Sequence, residues 1–307
     1  MRAFRCISAI LAAMICCAPS FAQLPEPLRT AVLINHAYDV NSNITYGVAN
    51  NFDLKLDVYH SREAKSPTPV VVMIHGGGWL VSNKDDYVLT AGPYLAMGFS
   101  VVNVEYRPGK VSLAPASVED CACALRWVAR HAKEYNFDLD KIILTGPSAG
   151  GHLALMTGMA PASAGFANEC AFQDDPNSPA PKVAAIINLF GITDVVDLLQ
   201  GPNLRTYAVS WLGSAPGRED LARRLSPLTY VRPGLPPILT IHGDADKVVP
   251  YSHAVRLHEA LTKAGVRNQL LTIPGAGHGW LTAEQDLLAF ETTRAFLESL
   301  GIRAVGQ

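Results

Sequence analysis

The sequence predicts an α/β fold in which helices cover both faces of a mostly parallel sheet. Apolar runs typical of buried strands alternate with segments whose apolar residues recur at helical intervals. Several of the predicted strands lead into loops rich in Gly and polar residues. The chain of 307 residues is 49% hydrophobic and 17% charged, which is enough apolar material for one large core.

The first half of the chain contains five predicted strands and three predicted helices. Residues 52–59 alternate apolar with polar side chains, as is typical of a half-exposed edge strand. Gly98 is expected to end the first of the helices. The predicted order is strand 44–46, strand 52–59, strand 70–74, helix 87–97, strand 100–105, helix 116–135, strand 141–145 and helix 151–159.

The second half adds three strands but interrupts the alternation twice. Residues 161–182 are rich in Pro, Ala, Asn and Ser and are predicted to form a long surface loop. Strands are predicted over 183–189, 238–242 and 269–273. Between the first two of them, residues 191–236 contain only short helix-like pieces, so we expect a small lid-like insertion. The helix-like pieces cover residues 195–200, 204–212 and 218–225.

The charge and histidine patterns exclude two classes of function. A formal net charge of −2 and no Lys and Arg cluster with interleaved aromatics argue against a nucleic-acid partner. The nine histidines are scattered, and none pairs with Cys or Glu at zinc-ligand spacing. We therefore expect no metal site and no cofactor.

The N-terminus has the pattern of a signal peptide. Arg2 and Arg5 lie beside a short apolar stretch over residues 7–18, and small residues around Ala22 suit cleavage there. Residues 1–22 are thus the expected signal peptide, and residues 23–307 the mature domain. The stretch is shorter than the roughly 20 apolar residues of a membrane span. A secreted or periplasmic protein without a stable membrane anchor is expected, a membrane-anchored N-terminus being the alternative.

Three of the six cysteines remain after that cleavage. Cys121 and Cys123 lie two residues apart on a predicted helix and therefore do not face each other. Cys170 is a possible disulfide partner for either of them in an oxidising compartment. Buried free thiols are the alternative.

A sharp turn holding a serine follows the predicted strand 141–145. The run Gly146-Pro147-Ser148-Ala149-Gly150 is typical of a nucleophile elbow, in which a strained serine lies between a strand and a helix. Glycines two residues before and after the serine leave room for this crowded turn. The serine hydroxyl would then be exposed for attack. The alternative is a Gly-rich turn that merely contains a serine.

Two later loops carry the acid and base that a serine nucleophile needs. Asp244 and Asp246 follow the strand 238–242, and His278 lies in a Gly-rich loop after the strand 269–273. Imidazole changes its protonation near neutral pH, so it can take the serine proton and return it. Because each group follows a strand, we expect the three to meet at one edge of a parallel sheet.

Glycines after the strand 70–74 predict an oxyanion hole. The run His75-Gly76-Gly77-Gly78-Trp79 leaves main-chain N–H groups open to a ligand. The expected donors are the N–H groups of Gly77, Gly78 and Ala149, the last at the start of the helix behind the serine. The alternative is a flexible turn.

Together these segments resemble α/β-hydrolase esterases of the hormone-sensitive-lipase and feruloyl/acetylxylan-esterase-like (BD-FAE-like) branches. The resemblance extends over residues 46–300 and implies an α/β-hydrolase fold. It also implies that Asp246 orients His278, while Asp244, the alternative acid, holds the loop. Pro147 departs from the acidic residue that many hormone-sensitive-lipase relatives carry. The matching motifs are HGGGW (75–79), GPSAGGHLA (146–154), HGDADKVVP (242–250) and GAGHGW (275–280).

The expected function is hydrolysis of carboxylic esters through an acyl-enzyme on Ser148. The substrates would be small-molecule or carbohydrate-linked esters with short acyl, acetyl or plant-derived aromatic groups. A non-catalytic binding protein, a serine peptidase and an acyltransferase are the alternatives. Substrate-binding residues are expected among aromatic side chains, although these could simply pack the insertion onto the body. They are Trp79, Tyr207, Trp211 and Trp280.

Four further residues have expected structural roles. The resemblance places Arg107 and Asp120 near the end of a strand and the start of the next helix. They form either a partly buried ion pair or two separate solvated charges. His75 is expected to brace the oxyanion loop, and His152 to pack within the nucleophile helix.

Overall fold

The computed structural model describes residues 26–168, 170, 181–214, 216–279 and 282–303, which form one sheet with helices on both faces. The predicted signal peptide over residues 1–22 lies outside the described residues. Among the described residues, no helix is both long and apolar enough to cross a membrane.

The sheet has eight strands in the order β1-β2-β4-β3-β5-β6-β7-β8. β2 pairs antiparallel with both β1 and β4, and every other pairing is parallel. The carboxyl ends of β3 and β5 to β8 therefore lie at one edge of the sheet. The strands are β1 (Tyr38–Ala49), β2 (Phe52–Ser61), β3 (Thr68–Ile74), β4 (Ser100–Val104), β5 (Phe137–Pro147), β6 (Val183–Leu189), β7 (Ile238–Gly243) and β8 (Asn268–Ile273).

Side chains of each central strand alternate between two apolar cores. In β3, Val70, Val72 and Ile74 face one core, while Val71 and Met73 face the other. Helices α3, α5 and α8 cover the first core, and α1, α2 and α9 cover the second. The helices are α1 (Glu26–Ala37), α2 (Gly92–Ala96), α3 (Ala116–Arg130), α4 (Ala132–Tyr135), α5 (Ala149–Met159), α6 (Thr206–Leu212), α7 (Arg218–Arg224), α8 (Ser252–Lys263) and α9 (Ala283–Ser299).

The edge strand of the sheet is β1, not β2 as the alternation over residues 52–59 predicted. β2 lies between β1 and β4, and its Asp57 is buried rather than exposed. The Asp57 carboxylate lies 2.9 Å from the buried Lys84 ammonium. The polar residue that suggested a solvent-facing strand is therefore one partner of a buried ion pair.

The helix predicted over 87–97 is two shorter elements. A 3-10 segment, Lys84–Ala91, begins at a capping Asn83 and is followed by α2. Pro93 lies in the first turn of α2, because proline lacks the N–H that a helix interior requires. The predicted helix 116–135 is likewise divided into α3 and α4. Helices α1, α8 and α9 were not predicted.

Cys123 and Cys170 form a disulfide, which decides between the two partners that the sequence left open for Cys170. Their Cα atoms are 5.2 Å apart, and Cys121 is a buried free thiol. The bond joins α3 to the segment that follows α5.

Arg107 and Asp120 form a buried ion pair rather than two solvated charges. The guanidinium Nη2 lies 2.7 Å from Asp120 Oδ1, and Nε also donates to this carboxylate. Both residues are buried, and Arg107 Nη1 donates to Asn50. The pair joins the loop after β4 to α3.

Residues 190–237, between β6 and β7, contain α6, α7 and short 3-10 turns. Trp211 and Leu225 of this insertion are fully buried in the core that α3 and α5 cover. The insertion therefore packs firmly on the sheet domain. Its role as a lid stays a prediction.

Candidate active site

Ser148 lies at the turn between β5 and α5 with a backbone conformation of φ 55° and ψ −120°. This left-handed conformation is strained for a residue with a side chain. A Cβ atom added to Gly146 or Gly150 would lie 2.3 or 2.1 Å from the carbonyl oxygen of Ile74. Both glycines are thus required, because the elbow crosses the end of β3 at van der Waals distance.

Three side chains that are far apart in sequence form a hydrogen-bonded chain at this edge of the sheet. His278 Nε2 lies 2.9 Å from Ser148 Oγ, and His278 Nδ1 lies 2.8 Å from Asp246 Oδ2. Ser148 follows β5, Asp246 follows β7 and His278 follows β8. The structure therefore brings together the hydroxyl, imidazole and carboxylate that the sequence predicted would converge.

The Asp246 carboxylate is buried and fully hydrogen-bonded. Oδ1 accepts from the N–H groups of Val248 at 2.7 Å and Val249 at 3.0 Å. Oδ2 accepts from His278 and from His242, whose Nε2 is 3.2 Å away. Burial would raise the pKa of Asp246, but the hydrogen bonds from His242 and His278 outweigh it and hold this pKa well below its ordinary value. Asp246 is thus ionised at neutral pH.

Asp244 occupies a different position in the same loop. Its side chain is exposed, and Oδ1 accepts a 2.6 Å hydrogen bond from the N–H of Gly275. This bond joins the loop after β7 to the loop after β8, which carries His278. The geometry therefore gives Asp244 the loop-holding position and Asp246 the contact with the imidazole.

Gly77 and Gly78, the predicted oxyanion donors, have left-handed backbone conformations with φ of 102° and 59°. A Cβ atom at Gly77 would lie 2.0 Å from the carbonyl oxygen of Val81. Within the described part of the chain, the N–H groups of Gly77 and Gly78 donate to no other backbone group. Ala149 begins α5, and the first N–H groups of a helix have no acceptor within it. These N–H groups are therefore free to bind an oxyanion.

His75 supports the start of this loop. Its Nδ1 donates to the carbonyl oxygen of Gly76 at 2.8 Å, and its ring stacks on Tyr106 with centroids 4.0 Å apart. The Tyr106 hydroxyl donates to the carbonyl oxygens of His75 and Gly76. Burial lowers the pKa of His75 to about 4, so its imidazole is neutral at neutral pH.

Two of the predicted substrate-binding aromatics are not available to a substrate. Trp79 and Trp211 are both 0% exposed and stack with centroids 4.1 Å apart. They pack the insertion onto the body, because each ring supplies the apolar surface that the other buries. This finding corrects the expectation that they line a pocket. Trp280 lies outside the described residues.

Tyr207 is the predicted aromatic that remains half-exposed beside the site. A Cβ atom at Gly78 would lie 3.4 to 3.6 Å from atoms of the Tyr207 side chain. The Tyr207 hydroxyl donates to the carbonyl oxygen of Val248 at 3.2 Å. Tyr207 thus connects the oxyanion loop to the loop that carries Asp246.

Two residues at the site were not identified from the sequence. His242 precedes Asp246 by four residues, and its place in the HGDAD motif was the available signal. Phe190, directly after β6, has φ of 41° and an edge-to-face contact with His278 at 4.8 Å between centroids. No local sequence pattern marks Phe190, because the contact depends on how β6 and β8 are placed.

Family comparison gives matches over most of the chain. The BD-FAE family model matches residues 56–261, and a TAP-like protein model matches residues 220–305. The probable carboxylic ester hydrolase LipM of Mycobacterium tuberculosis is 29% identical over 76% of this chain. Esterase LipQ of the same organism is 28% identical over 84% of this chain. This chain spans only 54% and 60% of the lengths of these two relatives.

Solved structures with the same fold include further esterases. A carbohydrate esterase from gut microbiota, in truncated form, is 25% identical with a TM-score of 0.73, covering 86% of this chain and 97% of its own. Propionate-bound esterase 2 of Thermogutta terrifontis is 28% identical with a TM-score of 0.71, covering 89% of this chain and 98% of its own. The sheet order, the elbow and these matches agree, and the chain belongs to the BD-FAE family and has an α/β-hydrolase fold.

Proposed function

We propose that this protein is a serine carboxylesterase that hydrolyses short-acyl esters through an acyl-enzyme on Ser148. The observation that carries the proposal is the hydrogen-bonded chain from Ser148 Oγ through His278 to Asp246, with distances of 2.9 and 2.8 Å. A neutral hydroxyl is a weak nucleophile and needs a base within hydrogen-bond reach. The relatives that are named as esterases and the esterase of known structure support the same activity.

In the acylation step, Ser148 Oγ forms a bond to the ester carbonyl carbon as His278 Nε2 takes its proton. The carbonyl oxygen becomes an oxyanion, and the N–H groups of Gly77, Gly78 and Ala149 hold it. Asp246 stabilises the imidazolium that forms and keeps its ring in place. The bond from carbon to the alcohol oxygen then breaks, and His278 gives its proton to the leaving alcohol.

In the deacylation step, a water molecule takes the place of the alcohol. His278 removes a proton from this water as its oxygen bonds to the acyl carbon. The same main-chain N–H groups hold the second oxyanion. The acyl carbon then separates from Ser148 Oγ, which recovers its proton from His278, and the carboxylic acid leaves.

The proposed limit to short acyl groups is supported by the filled space around the oxyanion loop. Tyr207 packs on Gly78, and Trp79 and Trp211 are closed off behind it. This side of the loop therefore offers little volume for a long chain. The Thermogutta terrifontis esterase 2 structures, with propionate or butyrate bound, support acyl groups of this size.

We also propose that the protein is exported and acts in the periplasm or outside the cell. The signal-peptide pattern over residues 1–22 supports this location. The Cys123–Cys170 disulfide supports it independently, since such bonds persist in oxidising compartments.

A panel of esters tests the proposed activity on purified protein. It contains 4-nitrophenyl esters from acetate to dodecanoate, acetylated xylan and a feruloyl ester. We expect the highest kcat/KM at acetate to butyrate. Ser148→Ala should reduce kcat by about a million-fold while the free energy of unfolding changes by less than about 1 kcal/mol. Equal turnover by wild type and Ser148→Ala would contradict the proposal.

A further inference from the structure

Trp79, the last residue of the glycine-rich loop, has a backbone conformation that residues with bulky side chains rarely adopt. Its φ of 63° is left-handed, which is uncommon for a bulky residue, and it follows two glycines with positive φ. Such strain persists only where surrounding contacts impose it. The position of Trp79 therefore depends on groups outside the loop. The orientation of the peptide groups that precede Trp79 depends on the same contacts.

His152 is the polar group that holds the Trp79 side chain. The indole Nε1–H donates to His152 Nδ1 at 3.1 Å, and the two rings meet edge to face with centroids 4.9 Å apart. Both side chains are 0% exposed. His152 lies one helical turn after Ser148 in α5, where its N–H donates to the Ser148 carbonyl oxygen. One residue of the nucleophile helix thus fixes the far end of the oxyanion loop.

The second imidazole nitrogen reaches the insertion. His152 Nε2 lies 2.7 Å from the carbonyl oxygen of Leu225, which follows α7. Because an indole N–H can only donate, Nδ1 must accept and the ring proton must be on Nε2. Burial lowers the pKa of His152 to about 4, so this neutral tautomer persists at neutral pH.

We propose that His152 is a positioning residue that sets the geometry of the oxyanion loop by holding Trp79 between the nucleophile helix and the insertion. The proposal rests on the esterase activity proposed above. His152 itself touches neither substrate nor reacting atoms. It acts through the Trp79 indole, which ends the run that contains the donor N–H groups of Gly77 and Gly78.

Three variants separate the two hydrogen bonds of His152. Trp79→Phe keeps an aromatic ring but removes the indole N–H. His152→Gln places a donor near Nε2 and keeps the bond to Leu225, while losing the acceptor for Trp79. His152→Asn places an acceptor near Nδ1 and keeps the bond to Trp79 instead.

We expect Trp79→Phe and His152→Gln each to reduce kcat by about a hundredfold with little change in KM, because misplaced donors weaken binding of the transition state alone. The double variant should lose no more than either single variant, since both remove the same bond. His152→Asn should retain most of the wild-type kcat. Active-site titration with an organophosphate corrects every rate for folded enzyme.

The inhibition constant Ki of a trifluoromethyl ketone distinguishes a positioning role from a merely structural one, because loss of stability alone would not change it. The adduct of this ketone with the serine carries an oxyanion in the place of the transition-state oxyanion. Its Ki should rise in Trp79→Phe and His152→Gln by the same factor by which kcat falls. Unchanged Ki values in both variants would overturn the proposal.

Trp127 and His131 provide a control pair, because the buried Trp127 ring stacks on the half-buried His131 ring, with centroids 4.1 Å apart, beyond the active-site loops. Trp127→Phe and His131→Gln should leave kcat and Ki unchanged. Equal losses in both pairs would overturn the positioning role. An active wild type with unaffected Trp79 and His152 variants overturns only this inference, whereas a wild type without esterase activity overturns the proposed function as well.

Discussion

His242 Nε2 lies 3.2 Å from Asp246 Oδ2, the same carboxylate oxygen that faces His278. The acid of the site therefore has two imidazole neighbours as well as two main-chain donors. His242 is fully buried, and its Nε2 also lies 3.1 Å from the carbonyl oxygen of Val249. This arrangement fixes the carboxylate rotamer and favours its ionised form.

Asp246→Asn should therefore damage catalysis far more than Asp244→Asn. The side-chain amide that replaces the Asp246 carboxylate would not stabilise the His278 imidazolium and would favour the wrong tautomer of His278. We therefore expect kcat to fall by about ten-thousand-fold in Asp246→Asn. Asp244→Asn keeps an oxygen that can accept from Gly275, and its kcat should fall by less than about tenfold. Steady-state kinetics on 4-nitrophenyl acetate measure both. A larger loss in Asp244→Asn would show that the acid is misassigned.

Acid should destabilise the protein, because two buried histidines resist protonation in the folded state. Burial lowers the pKa of His75 and of His152 from 6.5 to about 4. Between these two values the unfolded chain binds protons that the folded chain does not, so stability is lost as pH falls. Each histidine can contribute at most about 3 kcal/mol to this loss. The depressed pKa of Asp246 adds a further loss at lower pH, below its ordinary value of 3.8.

Urea unfolding at several pH values between 7 and 4 measures this dependence. The free energy of unfolding should decline steadily below pH 6.5 in the wild type. His152→Gln removes one of these titrating groups and should flatten the decline. A wild-type free energy that stays constant from pH 6.5 to 5 would contradict the expected protonation of the unfolded chain.

Asp120→Asn should strongly reduce stability, since it leaves the buried Arg107 guanidinium without the carboxylate 2.7 Å away. Breaking a buried pair from one side costs about 3 to 5 kcal/mol. Asp220→Asn provides the control, because Asp220 pairs with Arg223 on an exposed helix surface and should have almost no effect. Urea unfolding at pH 7 compares the two variants. Similar midpoints would show that the Arg107 pair contributes little.

Tyr207→Ala should widen the range of accepted acyl chains, because the ring fills the space beside Gly78. The ratio of kcat/KM for the octanoate ester to that for acetate should rise by about tenfold or more. Tyr207→Phe retains the ring and loses only the bond to Val248, so its ratio should match the wild type. An unchanged ratio in Tyr207→Ala would place the acyl group elsewhere.

The elements that the sequence predicted well are those with local signals. The elbow around Ser148, the glycine loop at Gly77 and the loops carrying Asp246 and His278 each follow an apolar strand within a few residues. Their meeting point follows from parallel pairing, which places the carboxyl ends of β3, β5, β7 and β8 at one edge of the sheet. Position along the chain was therefore sufficient to predict which groups converge.

The features that were missed depend on tertiary partners. The sequence pattern predicted a solvent-facing Asp57, but in the fold its carboxylate is buried against Lys84. Aromatic side chains such as Trp79 and Trp211 are typical of a binding pocket, but here the two rings stack on each other and both are buried. Periodicity describes one element at a time, so it cannot show which polar or aromatic side chain finds a partner on another element.

The most direct measurement of the central claim is the site of covalent modification by an organophosphate such as paraoxon. Purified protein is treated, digested and analysed by mass spectrometry, with Ser148→Ala treated in parallel. We predict one phosphorylated residue, Ser148, modified in proportion to the loss of esterase activity, and no adduct in the variant. Full activity loss with an unmodified Ser148 peptide, or equal labelling of Ser148→Ala, would contradict the account.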